Sequence, residues 1–293
     1  MIFGALPLTL NHRFGAALGW IAGKLSSRHR KIVRNNIQRY ATSRKLSPEA
    51  TKTLIYASMI EQGKSITELA IAWTASVDRL NKLFAPAIGW EHVEAARAAK
   101  RPIIFVSPHL GCFDIAGRYV ASRLPITALY RPPKQVWLAP IMSAGRARGG
   151  AMIAPANATG VRALLKTLKS SGSIMILPDQ VPATENGGEG VWADFFGYPA
   201  YTMTLLPRLA ATSSAVVLYF FAERLPTGRG YRVQFVPMDA PYLADKISAA
   251  QQTNMMVERL IDLTPAQYLW GYKRYKRPAG APAAGSDMLP AKF

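Results

Sequence analysis

Apolar positions through the first hundred residues return every three or four places, the spacing of helices that bury one face. Phe14, Leu18, Ile21 and Leu25 mark such a face in residues 1–25. Ile55, Met59, Ile66, Leu69 and Ile71 mark another, in a stretch that Ser47, Pro48 and Glu49 open with a helix-start signal. Between them runs the basic, helix-like SSRHRKIVRNNIQRY. From Ile103 the spacing changes to short apolar runs alternating with helical segments, the pattern of a sheet with crossover helices. The runs predict strands over 103–106, 126–130, 151–154, 173–177, 215–222 and 231–236, and helices over 111–123, 135–148, 159–170, 201–212 and 244–263. The expected fold is α/β, a mixed, mostly parallel central sheet flanked by helices, behind a helical N-terminal portion. Residues 1–25 are expected as an apolar membrane-associating helix and 26–278 as one domain, helical over 26–100 and α/β over 101–278. Residues 279–293, AGAPAAGSDMLPAKF, have the composition of a flexible tail.

Composition narrows the partners. Formal net charge is +19 with a pI near 10.3, a field that draws the chain toward phosphates, anionic lipid or an acidic protein. Mean hydropathy is high at +0.05, yet no unbroken apolar run reaches the roughly 18 residues that span a bilayer. The apolar N-terminus is interrupted by Asn11-His12-Arg13, so two readings stand side by side: a helix lying in a membrane interface, or one packed on its own domain. A single cysteine, Cys112, excludes an internal disulfide and a multi-cysteine zinc site. The four histidines lack metal-ligand spacing, and no metal or cofactor is expected.

The stretch RPIIFVSPHLGCFDIAGRYVASRL carries the first candidate chemistry. Within one helix, positions five apart lie about 140° apart, so His109 and Asp114 would diverge. Pro108 biases Ser107 away from helix, however, which places His109 before the first turn and lets Asp114 reach back. An aspartate on one ring nitrogen fixes the tautomer and leaves the other nitrogen to take a proton from a hydroxyl. The plain alternative is a histidine at a strand end with an aspartate nearby by chance. Cys112 offers a rival nucleophile, or a small apolar filler. Arg131 follows a strand in ITALYRPPKQ, with two prolines holding the chain extended, and suits an anionic substrate group or a surface ion pair. Asp179 and Gln180 close the apolar run SIMILPDQ, as site residues or as a turn.

SPHLGCFDIAG, LYRPPKQ, ILPDQ, GVWADFFGYPAYT and QYLWGYKRYKRP occur in this order and resemble the late acyltransferases of lipid A biosynthesis, over about residues 6–280. That family is part of the wider lysophospholipid and glycerol-phosphate acyltransferases with a His-x4-Asp motif. The resemblance implies that His109 is the general base and Asp114 its orienting partner. It puts Arg131 in the acceptor-binding block and Asp179, with Gln180, in the block completing the site. Gly111 is expected among the substrate-binding positions, where backbone N–H groups after His109 meet an oxyanion. The implied reaction moves a fatty acyl group from acyl carrier protein to a hydroxyl of a hydroxyacyl chain on an anionic lipid A precursor. No covalent enzyme intermediate or cofactor is needed. Trp192, Phe195 and Phe196 are candidates to line an acyl groove or to pack in the core. Lys273, Arg274, Lys276 and Arg277 are candidates for an anionic headgroup layer or a solvated face. The implied location is the cytoplasmic face of the inner membrane. Tyr272 stands where the family often has a histidine.

Three other readings remain at this point. One is an acyltransferase acting on a lysophospholipid or amino-acid lipid. The second is a basic nucleic-acid-binding protein, against which the Lys and Arg residues are scattered and no recognition motif is present. The third is a Cys112 thiol hydrolase, which lacks a histidine after position 112.

Overall fold

The structure, a computed structural model, describes residues 2–131, 133, 135–184 and 187–285. The N-terminal part is helical as the spacing predicts: α1 (Ile2–Ala5), α2 (Leu8–Leu25), α3 (Ser27–Ser43), α4 (Pro48–Thr74), α5 (Val77–Asn81) and α6 (Trp90–Ala98). The Ser47 side chain accepts from the Ala50 N–H at 3.2 Å and Pro48 fills the first turn, so α4 begins where its capping residues place it.

The alternating part follows as β1 (Ile103–Val106), α7 (Phe113–Ala121), β2 (Ile126–Tyr130), α8 (Ala139–Ala147), β3 (Ala151–Pro155), α9 (Ala158–Lys169) and β4 (Ser173–Ile176). Then come β5 (Gly190–Phe195), β6 (Tyr198–Met203), α10 (Leu205–Ala211), β7 (Val216–Arg224), β8 (Tyr231–Pro237) and α11 (Lys246–Leu263). Six strands form one sheet in the order β3-β2-β4-β1-β7-β8, parallel except for β8 at one edge. This is the mixed, mostly parallel α/β sheet expected. Its central strands alternate side chains between two apolar layers. Phe105, Leu218 and Phe220 pack on the side of α7, while Ile104, Val106, Tyr219 and Phe221 pack on the side of α11.

Two elements depart from the expectation. Residues 190–203 form a hairpin of β5 and β6, outside the main sheet, where a loop and the start of a helix were expected. Phe196 and Gly197 make its two-residue turn with φ of 53° and 74°, the paired positive values that such a turn requires. Gly197 takes that conformation freely, whereas Phe196 is held there by burial against Tyr40 and Trp270. The helix expected over 201–212 therefore starts only at Leu205. Of the expected tail, the Ala279 carbonyl accepts from the Thr184 hydroxyl and the Pro282 carbonyl from the Trp192 indole. Residues 286–293 lie outside the described residues.

Helix α2 lies on α4 through glycines. A Cβ at Gly19 would collide with the Met59 carbonyl, and one at Gly63 with the Gly15 carbonyl, so the two backbones approach closely. Its large apolar side chains then face outward: Leu18 is 46% exposed, Ile21 43% and Leu25 80%. No helix among the described residues is long and apolar enough to cross a membrane.

Candidate active site

Register decides which side chains meet. In the sheet Val106 of β1 is level with Ile176 of β4, and the Ser107 N–H continues the ladder to the Ile176 carbonyl at 3.0 Å. His109 lies three residues past Val106, and Asp179 three past Ile176. The two chains leave the carboxyl edge side by side, where open α/β sheets place their sites.

The Asp179 carboxylate grips His109 twice. One oxygen is 2.8 Å from His109 Nδ1 and the other accepts the His109 backbone N–H at 2.9 Å. Nδ1 therefore carries the hydrogen, and the Nε2 lone pair faces the cavity, 3.1 Å from Gln180 Nε2. Asp179 is 3% exposed. Burial on its own raises a carboxyl pKa, but the His109 charge and the hydrogen bonds from His109 outweigh it, and the Asp179 carboxyl is held below its usual value.

Asp114 sits elsewhere than expected. On the first turn of α7 its carboxylate takes Arg146 of α8 in a two-point bond, at 2.6 Å from Nε and 3.2 Å from Nη2. His109 is thus oriented by Asp179, while Asp114 holds a guanidinium. Between His109 and Asp114 the chain turns at Gly111, with φ of 60°, before α7 begins. Arg146 keeps its proton more firmly than usual, because Asp114 outweighs the effect of burial.

Gly111 also differs from its expected role. Its N–H donates to the Gln267 carbonyl at 3.1 Å and the Cys112 N–H to the Ala222 carbonyl at 3.0 Å, so neither is aimed at a substrate. A Cβ at Gly111 would strike the Ala222 carbonyl, which gives the glycine a structural reason. The Cys112 thiol is buried, and burial together with Glu68 pushes its pKa well up, contrary to what a nucleophile needs.

A cavity of about 1190 Å³ opens beside His109. Its lining includes the apolar Ile126, Ala128, Ile153, Met142, Met175 and Leu177, while Arg131 and Arg146 belong to its polar lining. It exceeds the usual small-molecule pocket of roughly 300–1,000 Å³ and has room for a long hydrocarbon chain. Of the prolines expected to hold the chain extended beyond Arg131, Pro132 lies outside the described residues. Trp192, Phe195 and Phe196 are all buried and lie outside this cavity's lining, packed in the core instead. In the basic C-terminal block Lys273, Lys276 and Arg277 are exposed, but Arg274 is 2% exposed and donates to the Tyr201 carbonyl and Thr202 hydroxyl. Arg274 is therefore a structural cation and not a headgroup contact. The Tyr272 hydroxyl accepts from the Val181 N–H at 3.0 Å, next to Gln180.

Sequence reasoning missed Arg146. It lies inside the helix expected over 135–148 with no strand-end signal, and its partner is remote in sequence.

The profile of the bacterial lipid A biosynthesis acyltransferases matches residues 1–277. The chain belongs to that family. It is similar to the lipid A biosynthesis lauroyltransferase of Escherichia coli K12, with 27% identity over 95% of this chain and 89% of the relative. The palmitoleoyltransferase of the same organism is 28% identical over 94% and 88%. A lipid A biosynthesis acyltransferase of Haemophilus influenzae is 25% identical over 92% and 86%. Membership makes the chain an acyltransferase.

Proposed function

We propose that this acyltransferase moves a fatty acyl group from acyl carrier protein to a hydroxyl of a hydroxyacyl chain on a lipid A precursor, with His109 as general base. The observation that carries the reading is the His109–Asp179 pair, with His109 lining a large, mostly apolar cavity whose lining also includes Arg131 and Arg146. The acceptor hydroxyl takes the place of the Gln180 amide at His109 Nε2 and gives its proton to that nitrogen. Its oxygen attacks the thioester carbonyl, the C–S bond then breaks, and the imidazolium returns the proton to the leaving thiolate. Asp179 stabilises the imidazolium, as the double grip on His109 permits. Arg146, steadied by Asp114, presents its remaining N–H groups to negative charge on the acceptor or on the developing oxyanion. Arg131 is suited to an anionic acceptor group.

The net charge of +19 suits an acidic donor protein and an anionic lipid. The outward apolar face of α2 suits a membrane surface, with Lys24 3.9 Å from the Trp20 ring centre at the edge of that face. Val136 and Trp137, 82% and 72% exposed, add apolar surface just after the Arg131 segment. These features support attachment to a membrane surface, here read as the cytoplasmic face of the inner membrane.

The test is mass spectrometry of lipid A from a strain lacking the protein. One secondary acyl chain should be missing, and wild type or Cys112→Ala should restore it. His109→Ala should not, and the purified variant should lose a factor on the order of 10²–10⁴ in kcat. Unchanged lipid A in the deletion strain, or restoration by His109→Ala, would overturn the proposal.

A further inference from the structure

A chain of buried charges runs from α2 to the turn behind His109, and none of it touches the cavity. Arg224, at the end of β7, is 3% exposed. Its guanidinium donates to Glu68 Oε2 at 2.7 Å, to Ser65 Oγ at 2.6 Å and to the Gly111 carbonyl at 2.8 Å, and it pairs with Glu61 at 3.2 Å. Glu68 is wholly buried, and its other oxygen takes the Tyr231 hydroxyl at 2.9 Å and His12 Nε2 at 2.6 Å. The path is therefore His12 on α2, Glu68 on α4, Arg224 on β7, then the Gly111 peptide two residues from His109.

The neighbouring Leu110–Gly111 peptide is tied to Arg224 as well. The Gly111 N–H donates to the Gln267 carbonyl, and the Gln267 side chain bonds the Arg224 backbone in both directions, at 2.8 and 3.0 Å. A buried ion pair is poor evidence of stabilisation, since well-packed apolar side chains commonly serve as well. An apolar residue at 224 would hold β7 against α4, but it would leave the buried Gly111 carbonyl without that donor. Arginine's fixed fork serves all these partners in one geometry. At the far end, side-chain bonds add to the glycine contact of α2 with α4. His12 bonds Glu68, helped by the Asn11 amide on the Thr67 carbonyl at 3.0 Å.

We infer that His12, Glu68 and Arg224 are positioning residues that hold the turn carrying His109 and tie its geometry to the seating of α2. They act through the backbone and touch no reacting atom. The activity arm rests on the proposed function, whereas the thiol arm does not.

Cys112, the chain's one cysteine, is buried in the same turn and reports on its opening. The experiment measures labelling of Cys112 by a small aromatic disulfide in full-length Arg224→Lys, Glu68→Gln and His12→Ala, each with its global stability. Core variants remote from the turn, such as Leu164→Ala, define how labelling follows global stability alone. Network variants should label about tenfold or more faster than that relation allows, and the excess should persist at saturating reagent, where opening of the turn and not the thiolate fraction sets the rate. His12→Ala is the mildest of the three and should add nothing once Glu68→Gln is present. In acyl transfer, the loss should fall on kcat, about tenfold for Arg224→Lys, with both KM values nearly unchanged. Labelling that stays on the core-variant relation for every folded network variant would overturn the inference, as would additive effects of His12→Ala and Glu68→Gln. Absence of transfer by the wild-type protein would count against the proposed function and leave the labelling result to decide the inference.

Discussion

Where α2 meets α4, glycines and polar groups lie inside, while Phe14, Leu18, Ile21 and Leu25 of α2 point outward. In the strands that carry the site, the apolar side chains lie inside and the polar groups gather at the carboxyl edge. Gly15, Gly19 and Gly63 meet backbone to backbone, and His12 and Glu68 are buried beside them, while Phe14 is 52% exposed. Phe105, Phe220 and Phe221 of the sheet are fully enclosed, and His109 and Asp179 emerge only where the strands end. The same helical spacing of apolar residues thus marks a buried face in one setting and an outward one in another. What distinguishes them is the residue type on the opposite face: small residues permit closer packing than leucines do.

That difference is open to attack at its tightest point. Gly63→Leu pushes a side chain into the Gly15 and Gly19 backbone, which cannot move aside as a flexible side chain would. Overpacking costs about 1–3 kcal/mol, and the upper end is expected here, read as a lower urea midpoint at constant slope. A loss below about 0.5 kcal/mol would show that the helices are not closely packed.

The outward face should behave oppositely. Phe14→Ser and Leu18→Ser should change stability by less than about 0.5 kcal/mol, as surface substitutions do. Each should weaken binding to anionic vesicles about tenfold, because burying such a side chain is worth roughly 1.5–3 kcal/mol. Sedimentation with vesicles measures it, and unchanged binding would remove α2 from the membrane contact.

The smallest effect concerns acid. Asp179 has a folded pKa held below its usual 3.8, so its stabilising contribution is complete above that value and is lost as pH falls through the folded pKa. Asp179→Asn should flatten the stability curve below about pH 4, by at most about 1.4 kcal/mol per pH unit, the slope of one proton. Urea unfolding at a series of acid pH values reads this directly, and parallel curves for the two proteins would contradict it.

Much of this was legible from spacing alone. The runs starting at Ile103, Ile126 and Ser173 are strands because their apolar residues are continuous and bounded by Pro and Gly. Asp179 and Gln180 stood out because polar residues end an apolar strand. The hairpin at 190–203 was hidden because FFG does not resemble a common turn pair, and only tertiary burial holds Phe196 at positive φ. The partner of Asp114 was hidden for another reason. Sequence proximity favoured His109, but strand register is a long-range fact, and it gave His109 to Asp179, leaving Asp114 to Arg146.

The pairing of His109 is accordingly the point to measure, by nitrogen-15 NMR of the His109 ring in wild type, Asp179→Asn and Asp114→Asn. The wild-type ring should be the tautomer protonated at Nδ1, with an unprotonated Nε2. Asp179→Asn should disturb that tautomer, and Asp114→Asn should leave it nearly as in wild type. A ring that ignores Asp179→Asn and changes with Asp114→Asn would contradict the account.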